Sequence, residues 1–460
     1  MNLFVVIAAL ALLMAVAYRG FSVILFAPVC AMLAVLLTEP SHVLPMFSDI
    51  FMEKMAGFLK LYFPVFMLGA VFGKIIELAG FSKSIVSSVG RVVDKKRAVL
   101  SIVLVCALLT YGGVSLFVVV FAVYPFAAEM FRQSDIPKRL IPGAIALGSF
   151  TFTMDALPGT PQIQNIIPTT FFKTDTWAAP WLGVIGSVFI LASGLTYLSW
   201  RRSQAAVAGE GYGAGHLNEP EPFLHEHLPN PWLALAPLVL VAGLNKLFAT
   251  AIPQGLGKAV TIDLPGHALT VDVTKMAGVW AVEGALIAGI LFVMAFGWKQ
   301  VGARFAEGSK AAISGSLLAS MNTASEYGFG GVIAALPGFA VVSNALKSIP
   351  NPLVNEAVTV TTLAGITGSA SGGLSIALAA MSDTFIQAAH TAHIPLEVLH
   401  RVAAMASGGM DTLPHNGAVI TLLAVTGLSH RTSYRDIFAV TLIKTTAVFV
   451  VIAVYYITPR

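Results

Sequence analysis

Five stretches of this chain are apolar over the full length of a membrane-crossing helix: residues 2–18, 20–37, 180–200, 277–298 and 437–457. A bilayer core of about 30 Å takes roughly 20 such residues in one helix. Lipid cannot satisfy backbone N–H and C=O groups, so runs of this length must form helices that bond internally. Composition agrees, with 57% hydrophobic and 11% charged residues. A soluble globular chain carries roughly 25% charged residues, and fewer cannot cover a water-facing surface. The net charge of +4 is small and sits in short loops, which fits membrane orientation and argues against nucleic-acid binding. Cys30 and Cys106 both lie in apolar runs and read as packing residues, with no disulfide framework and no metal site. Ala15-Val16-Ala17 resembles a cleavage site, but no Lys or Arg precedes the first apolar run and a second run follows at once, so an uncleaved first span is expected. The expected class is an all-α polytopic membrane protein.

Two stretches inside this apolar background share one pattern: "FTMDALPGTPQIQN" at 152–165 and "GGMDTLPHNGAVIT" at 408–421. Each places an acid, a helix breaker and polar residues where charge is costly. They belong to a longer internal repeat. "GKIIELAGF" at 73–81 resembles "GVIAALPGF" at 331–339. "GGVSLFV" at 112–118 resembles "GGLSIAL" at 372–378, and "MDALP" at 154–158 resembles "MDTLP" at 410–414. The last spans, 178–200 and about 435–457, fall at the same shift of about 256–260 residues. Matches in one order at one shift point to duplication.

Lys and Arg in short loops set the orientation. "YRG" at 18–20, "GRVVDKKR" at 90–97 and "FRQSDIPKR" at 131–139 lie inside, and "TEPSHVLP" at 38–45 lies outside. The segment of about 98–130 therefore enters and leaves on one side, breaks at Thr110-Tyr111-Gly112-Gly113, and reads as a re-entrant hairpin. Each half then makes five crossings plus one hairpin. Five is odd, so the second half is inverted, and its basic loops at 298–310 and 429–435 again fall inside. The expected organisation is a first repeat at 1–200 (hairpin about 98–130, broken span about 140–172) and a cytoplasmic linker at 201–230. A second repeat follows at 231–460, with a hairpin at about 352–390 and a broken span at about 397–428. The linker, with His216, His225 and His227, reads as a solvated connection. A polar insert at about 253–275 reads as an external loop. Both termini are expected outside, on the face opposite the linker.

Broken helices survive in a membrane only around a protein-lined or watery cavity. Four breaks are expected to converge, with helices restarting near Ser115, Thr160–Pro161, Gly373–Ser375 and Pro414–Asn416. Helix N-termini offer free N–H groups and partial positive charge. The breaks hold no Lys or Arg, so a small carboxylate held by dipoles and by Ser, Thr and Asn groups is the expected ligand. The candidate substrate-binding residues are Thr110, Gly112, Gly113, Ser115, Thr160, Gln162, Asn165, Ser371, Gly372, Gly373, Ser375, His415 and Asn416. Close helix packing through small residues is the plain alternative.

Asp155 and Asp411 are candidate proton carriers, because a mid-membrane carboxyl is tolerated mainly as the neutral acid. The competing reading makes each a cap of the helix that follows. Glu326, within "NTASEYGFGG" at 322–331, is a third candidate, since the first half is apolar at the matching place near Leu68. Lys74 and Glu77, one turn apart, read as a structural pair.

"LTYGGVSLFVVVFAVYPFA" at 109–127, "TMDALPGTPQIQNIIPTTFF" at 153–172 and "GGMDTLPHNGAVITLL" at 408–423 resemble the gluconate:proton symporter (GntP-type) permease family, in its hydroxybutyrate-permease-like branch. The resemblance extends over nearly the whole chain. It implies a proton-coupled importer of small hydroxy- or sugar-acid anions in the bacterial inner membrane. Through the wider ion-transporter superfamily it implies a homodimer with a scaffold part and an elevator-type transport part that carries both hairpins. The expected function is proton-driven uptake of a hydroxy-monocarboxylate, 3-hydroxybutyrate first, with gluconate or another organic anion as the alternative. No cofactor is expected. The coupling ion is a proton, with sodium as the alternative. An intramembrane aspartyl protease is disfavoured because Met154 and Met410 stand where its glycine would precede the Asp, and no metal or nucleophile motif occurs in the spans. A passive channel is disfavoured because no ring of pore-lining charge is present.

Overall fold

The computed structural model describes residues 2–19, 21–92, 97–220, 228–341, 349–414 and 416–458. The first half runs α1 (Asn2–Tyr18), α2 (Val23–Thr38), α3 (Met52–Leu78), α4 (Phe81–Val92), α5 (Ala98–Tyr111) and α6 (Leu116–Gln133). It continues with α7 (Ile141–Ser149), the one-turn α8 (Phe152–Asp155), α9 (Ile163–Phe172) and α10 (Pro180–Val207). The second half runs α11 (Pro231–Leu256), β1 (Ala259–Leu264), β2 (His267–Asp272), α12 (Val273–Val301) and α13 (Phe305–Ala335). It ends with α14 (Pro352–Thr367), α15 (Ala370–Thr391), α16 (Leu396–Ser407), α17 (Gly417–Thr426) and α18 (His430–Ile457). Among the described residues, five helical stretches are long and apolar enough to cross a membrane: Pro40–Leu78, Pro180–Val207, Pro231–Leu256, Val273–Ala335 and His430–Ile457.

Local sequence accounts for many of these boundaries. Pro180, Pro231 and Pro352 open α10, α11 and α14, where a missing N–H costs nothing. Asn230 accepts from the Trp232 N–H at 2.9 Å, and Asn351 from those of Leu353 and Val354 at 3.0 and 3.1 Å. At 14 residues α5 rises about 21 Å, short of a bilayer core. It packs back on α6 as a helical hairpin, and α14 does the same on α15.

The packing falls into two groups. In one, α3 and α13 lie along each other, α2 lies on α13 and α12 on α3. In the other, α10 pairs with α18, α5 with α7 and α14 with α16, while α18 covers α7 and α10 covers α16. Each of these contacts has a counterpart with the halves exchanged. One exception is α9, which also packs on α3 and α12, whereas α17 packs on α6 and α7.

Several expectations need correction. Helix starts in the two halves are 254 apart (Leu116 and Ala370, Ile163 and Gly417), so the glycine match at shift 260 joins non-equivalent residues. Gly112 and Gly113 lie in a turn, but Gly372 and Gly373 lie inside the first turn of α15, which starts earlier than expected. The fold is not purely helical, because the polar insert forms an exposed antiparallel hairpin, Ala259 opposite Asp272, turning at Gly266 with φ +86°. The linker begins later than 201, since α10 runs to Val207. It is also not a free solvated strand. Glu210 pairs with Arg139 at 2.6 Å, Asp135 accepts from the Tyr212 N–H at 2.9 Å, and Glu219 pairs with buried Lys138 at 2.8 Å and with Arg132 at 2.5 Å. Burial pushes the Glu219 carboxyl up, but hydrogen bonds from Lys138, Arg132 and Tyr212 outweigh it and hold it below the usual carboxylate range. His225 and His227 lie outside the described residues. Lys74 and Glu77 form the expected pair at 2.9 Å.

Candidate substrate and coupling site

The first break follows α7. Its carbonyls lose their helical partners and are taken up by side chains. The Thr151 and Thr153 hydroxyls donate back to the Leu147 and Gly148 carbonyls at 2.6 and 2.8 Å, and Thr160 donates to the Thr153 carbonyl at 2.6 Å. The Asn165 amide reaches the carbonyls of Thr160 (3.0 Å) and Thr176 (2.9 Å), and Asn245 of α11 reaches that of Gly159 at 3.0 Å.

Arg401 of α16 organises this break from the other half. It is fully buried. One terminal nitrogen donates to the Asp155 carbonyl at 2.9 Å and to Asn165 Oδ1 at 3.0 Å. The other donates to the carbonyls of Ala178 at 2.9 Å and Thr176 at 3.2 Å, and Nε also donates to Ala178 at 3.1 Å. All these acceptors are amide oxygens. The guanidinium fork is thereby saturated, so Arg401 positions the break and has no donor left for a ligand. Beside it, His400 Nε2 donates to Asn165 Oδ1 at 3.2 Å, leaving Nδ1 to accept from the Thr174 hydroxyl at 2.6 Å.

The second break, between α16 and α17, holds Asp411. Its carboxylate is ion-paired with Lys444, a buried lysine of α18 that also donates to the Phe150 carbonyl of the first break at 3.0 Å. The Asp155 carboxylate lies against Gly408, where a β-carbon would overlap it. Its electrostatic neighbours are Lys444, Asp411 and Arg401. Two acids and two bases, drawn from both halves, are thus buried where the breaks meet. Neither acid caps the following helix: Gln162 and Asn416 hold the cap positions of α9 and α17, and Asn416 accepts from the Val419 N–H at 2.9 Å.

Each hairpin tip is tied to the break of its own half by an amide. Gln162 donates to the Thr110 carbonyl at 2.7 Å, and Asn416 to the Gly368 carbonyl at 2.8 Å. Tyr111 adds a bond to the Pro158 carbonyl at 2.9 Å. Gly113 has φ +93°, and a β-carbon there would come within 3.3 Å of Pro161, so glycine answers both demands. Gly112 faces Leu238 with no room for a methyl group. At the second tip, Ser369 caps α15 through the Gly372 N–H at 3.0 Å, and Ser371 bonds Thr323 of α13 at 3.2 Å. Gly373 packs on the Ala364 backbone.

The candidates therefore divide by availability. Thr160, Asn165 and Asn416, and the amide nitrogen of Gln162, are committed to holding the breaks together. The buried hydroxyls of Thr110 and Ser375 and one oxygen of Glu326 have no protein partner. Ser115 and Ser371 stand half-buried at the two tips. His415 lies outside the described residues. The expectation that dipoles alone provide positive charge is corrected, because neighbouring spans bring Arg401 and Lys444 to the breaks. The sequence reading does not single out Arg401, Lys444, His400 or Asn245. Lys444, inside the apolar run 437–457, carried the clearest signal available, a charge in a membrane span.

A relative in Bacillus subtilis (strain 168), an uncharacterized transporter called YxjC, is 60% identical over 100% of this chain and 99% of its own length. Among solved structures, the YdaH transporter of Alcanivorax borkumensis, described as having an unusual topology, aligns with a TM-score of 0.55 at 16% identity, over 91% of this chain and 89% of its own. MtrF of Neisseria gonorrhoeae, described within a class of antimetabolite efflux pumps, aligns with a TM-score of 0.57 at 12% identity, over 92% and 86%. At these identities both show a shared fold. No protein-family model matches the chain.

Proposed function

We propose, on the premise that this chain belongs to the family of the Bacillus subtilis transporter YxjC, that it is a secondary active transporter taking up a small hydroxy-monocarboxylate with protons. The carrying observation is the juncture of the two breaks, where Asp155, Asp411, Lys444 and Arg401 are all buried and each hairpin tip is tied to a break. Burying charge costs several kcal/mol per ion before pairing and hydrogen bonding offset it. Ionisable groups buried in a membrane span most often mark a site that handles charge, and here they also tie the two breaks together. An enzyme is a poor reading of a chain whose relative and fold neighbours are transporters.

The finer reading is an inverted repeat, supported by contacts that recur with the halves exchanged. The α1–α3 and α11–α13 group is the scaffold, and the hairpins, broken spans, α10 and α18 form the moving unit. A homodimer in the bacterial inner membrane, with both termini periplasmic and the linker cytoplasmic, completes it. The GntP-type resemblance supports 3-hydroxybutyrate as substrate. Proteoliposomes carrying an inside-alkaline gradient should accumulate labelled 3-hydroxybutyrate at least tenfold and lose it when a protonophore is added. Gluconate, acetoacetate, lactate and citrate are tested as competitors. Accumulation driven by sodium alone would overturn the coupling ion, and accumulation of labelled gluconate but not of labelled 3-hydroxybutyrate would overturn the substrate.

A further inference from the structure

Of the three candidate acids, Glu326 stands apart. Asp411 is paired with Lys444, and Asp155 shares Lys444 and Arg401. Glu326 is 4% exposed, and its Oε2 has no hydrogen-bond partner. It projects from α13 onto the first turn of α15, and a β-carbon at Gly372 would overlap Oε2. α15 is a 22-residue helix whose N-terminus presents N–H groups that the helix itself cannot satisfy. Ser369 takes up the Gly372 N–H, and one turn further in Ser375 carries a buried, unpartnered hydroxyl. The protein's own carboxylate thus lies against the first turn of α15, beside the helix end where an external anion would be held, without taking a hydrogen bond from it.

The elements around Glu326 bring little other charge. On α3, the stem of Lys54 lies on Gly331, more than a turn along α13 from Glu326. The turn before α3 carries Asp49, and α3 begins with Glu53, both away from the buried face. No charged residue occurs in α2, and on α15 the nearest is Asp383, eleven residues beyond Gly372. Tyr327, next in sequence, packs on Phe58 and Phe171.

We infer that Glu326 is the group that couples proton to substrate: the substrate carboxylate takes the N-terminus of α15 only when Glu326 is protonated. This rests on the reading of the chain as an anion transporter. Two ionised carboxylates cannot share one small buried site. Protonation removes the internal competitor and converts an acceptor into an O–H donor. One proton binds a Glu326 oxygen where the substrate enters and leaves the same oxygen where it departs, and no other bond is made or broken. α13 belongs to the group packed on α3, and α15 to a hairpin, so the exchange sits on the boundary between them.

Glu356 is the control. It is fully buried with both oxygens unpartnered, but it lies about 16 Å down α14 from the second tip. Purified protein in weakly buffered detergent, titrated with sodium 3-hydroxybutyrate at alkaline pH, should take up protons approaching one per molecule bound, with Kd rising up to tenfold per pH unit over that range. Glu326→Gln should bind with no proton uptake and a flat pH profile. Glu326→Asp should restore coupling, and Glu356→Gln should match the wild type. Gly372→Ala, which pushes the carboxylate aside without removing it, should lower proton uptake per molecule bound and serves if Glu326→Gln does not fold. Wild-type pH dependence in Glu326→Gln, or its loss in Glu356→Gln alone, overturns this inference. A wild-type protein that neither binds nor accumulates 3-hydroxybutyrate overturns the parent reading instead.

Discussion

Arg401→Leu should abolish uptake and lower the melting temperature of the detergent-solubilised protein. The leucine leaves the carbonyls of Asp155 and Ala178 without their donor in a buried region, and takes one of several donors from the Thr176 carbonyl and from Asn165 Oδ1, which keep those of Asn165 and His400. A buried acceptor left unsatisfied costs roughly 1–3 kcal/mol, so with two of them stranded the total loss is about 2 kcal/mol or more. Arg401→Lys should rescue little, because an ammonium concentrates its donors at one point and cannot span acceptors as far apart as residues 155 and 178. Thermal stability by size exclusion and uptake in proteoliposomes check both. An Arg401→Leu protein that melts and transports like the wild type would remove Arg401 from the account.

Lys444→Met should be nearly as damaging, for a different reason. It leaves the Asp411 carboxylate buried with no cation and the Phe150 carbonyl with no donor. Breaking a buried ion pair from one side costs roughly 3–5 kcal/mol, whereas removing both charges together is often close to neutral. Asp411→Asn alone strands the lysine and should also destabilise. The double variant Asp411→Asn/Lys444→Met should therefore melt above either single variant, recovering most of the lost stability. If the two single losses simply add in the double variant, the pair is not coupled and its geometry here is wrong. In this light Asp411 holds the two breaks together, and its neutralisation acts first on stability.

The sequence exposed the architecture far better than the side-chain roles. Apolar runs and the twin "MD-x-LP" stretches read directly as long helices and helix breaks, because lipid allows few ways to satisfy a backbone. It failed where a contact joins distant residues. Asn165 and Asn416 looked like ligands for a substrate but spend their amides on neighbouring carbonyls. Arg401 reads in sequence as one cation on an amphipathic helix, and only the crossing of α16 over the first break reveals its five contacts. The glycine doublets misled by similarity alone, since one pair makes a turn and the other lies within a helix. The insert at 259–272 alternates apolar and polar residues around Pro265-Gly266, a hairpin signal hidden by its exposed setting.

The central claim is that both tips and both breaks serve one anion site. Single cysteines at Ser115 and Ser371, half-buried at the two tips, and a control at exposed Ser203 can be alkylated while 3-hydroxybutyrate is titrated. The account predicts that both tips are protected with the same half-saturating concentration while the control is unaffected. Protection of one tip alone, or of neither in protein that still accumulates the substrate, would contradict it.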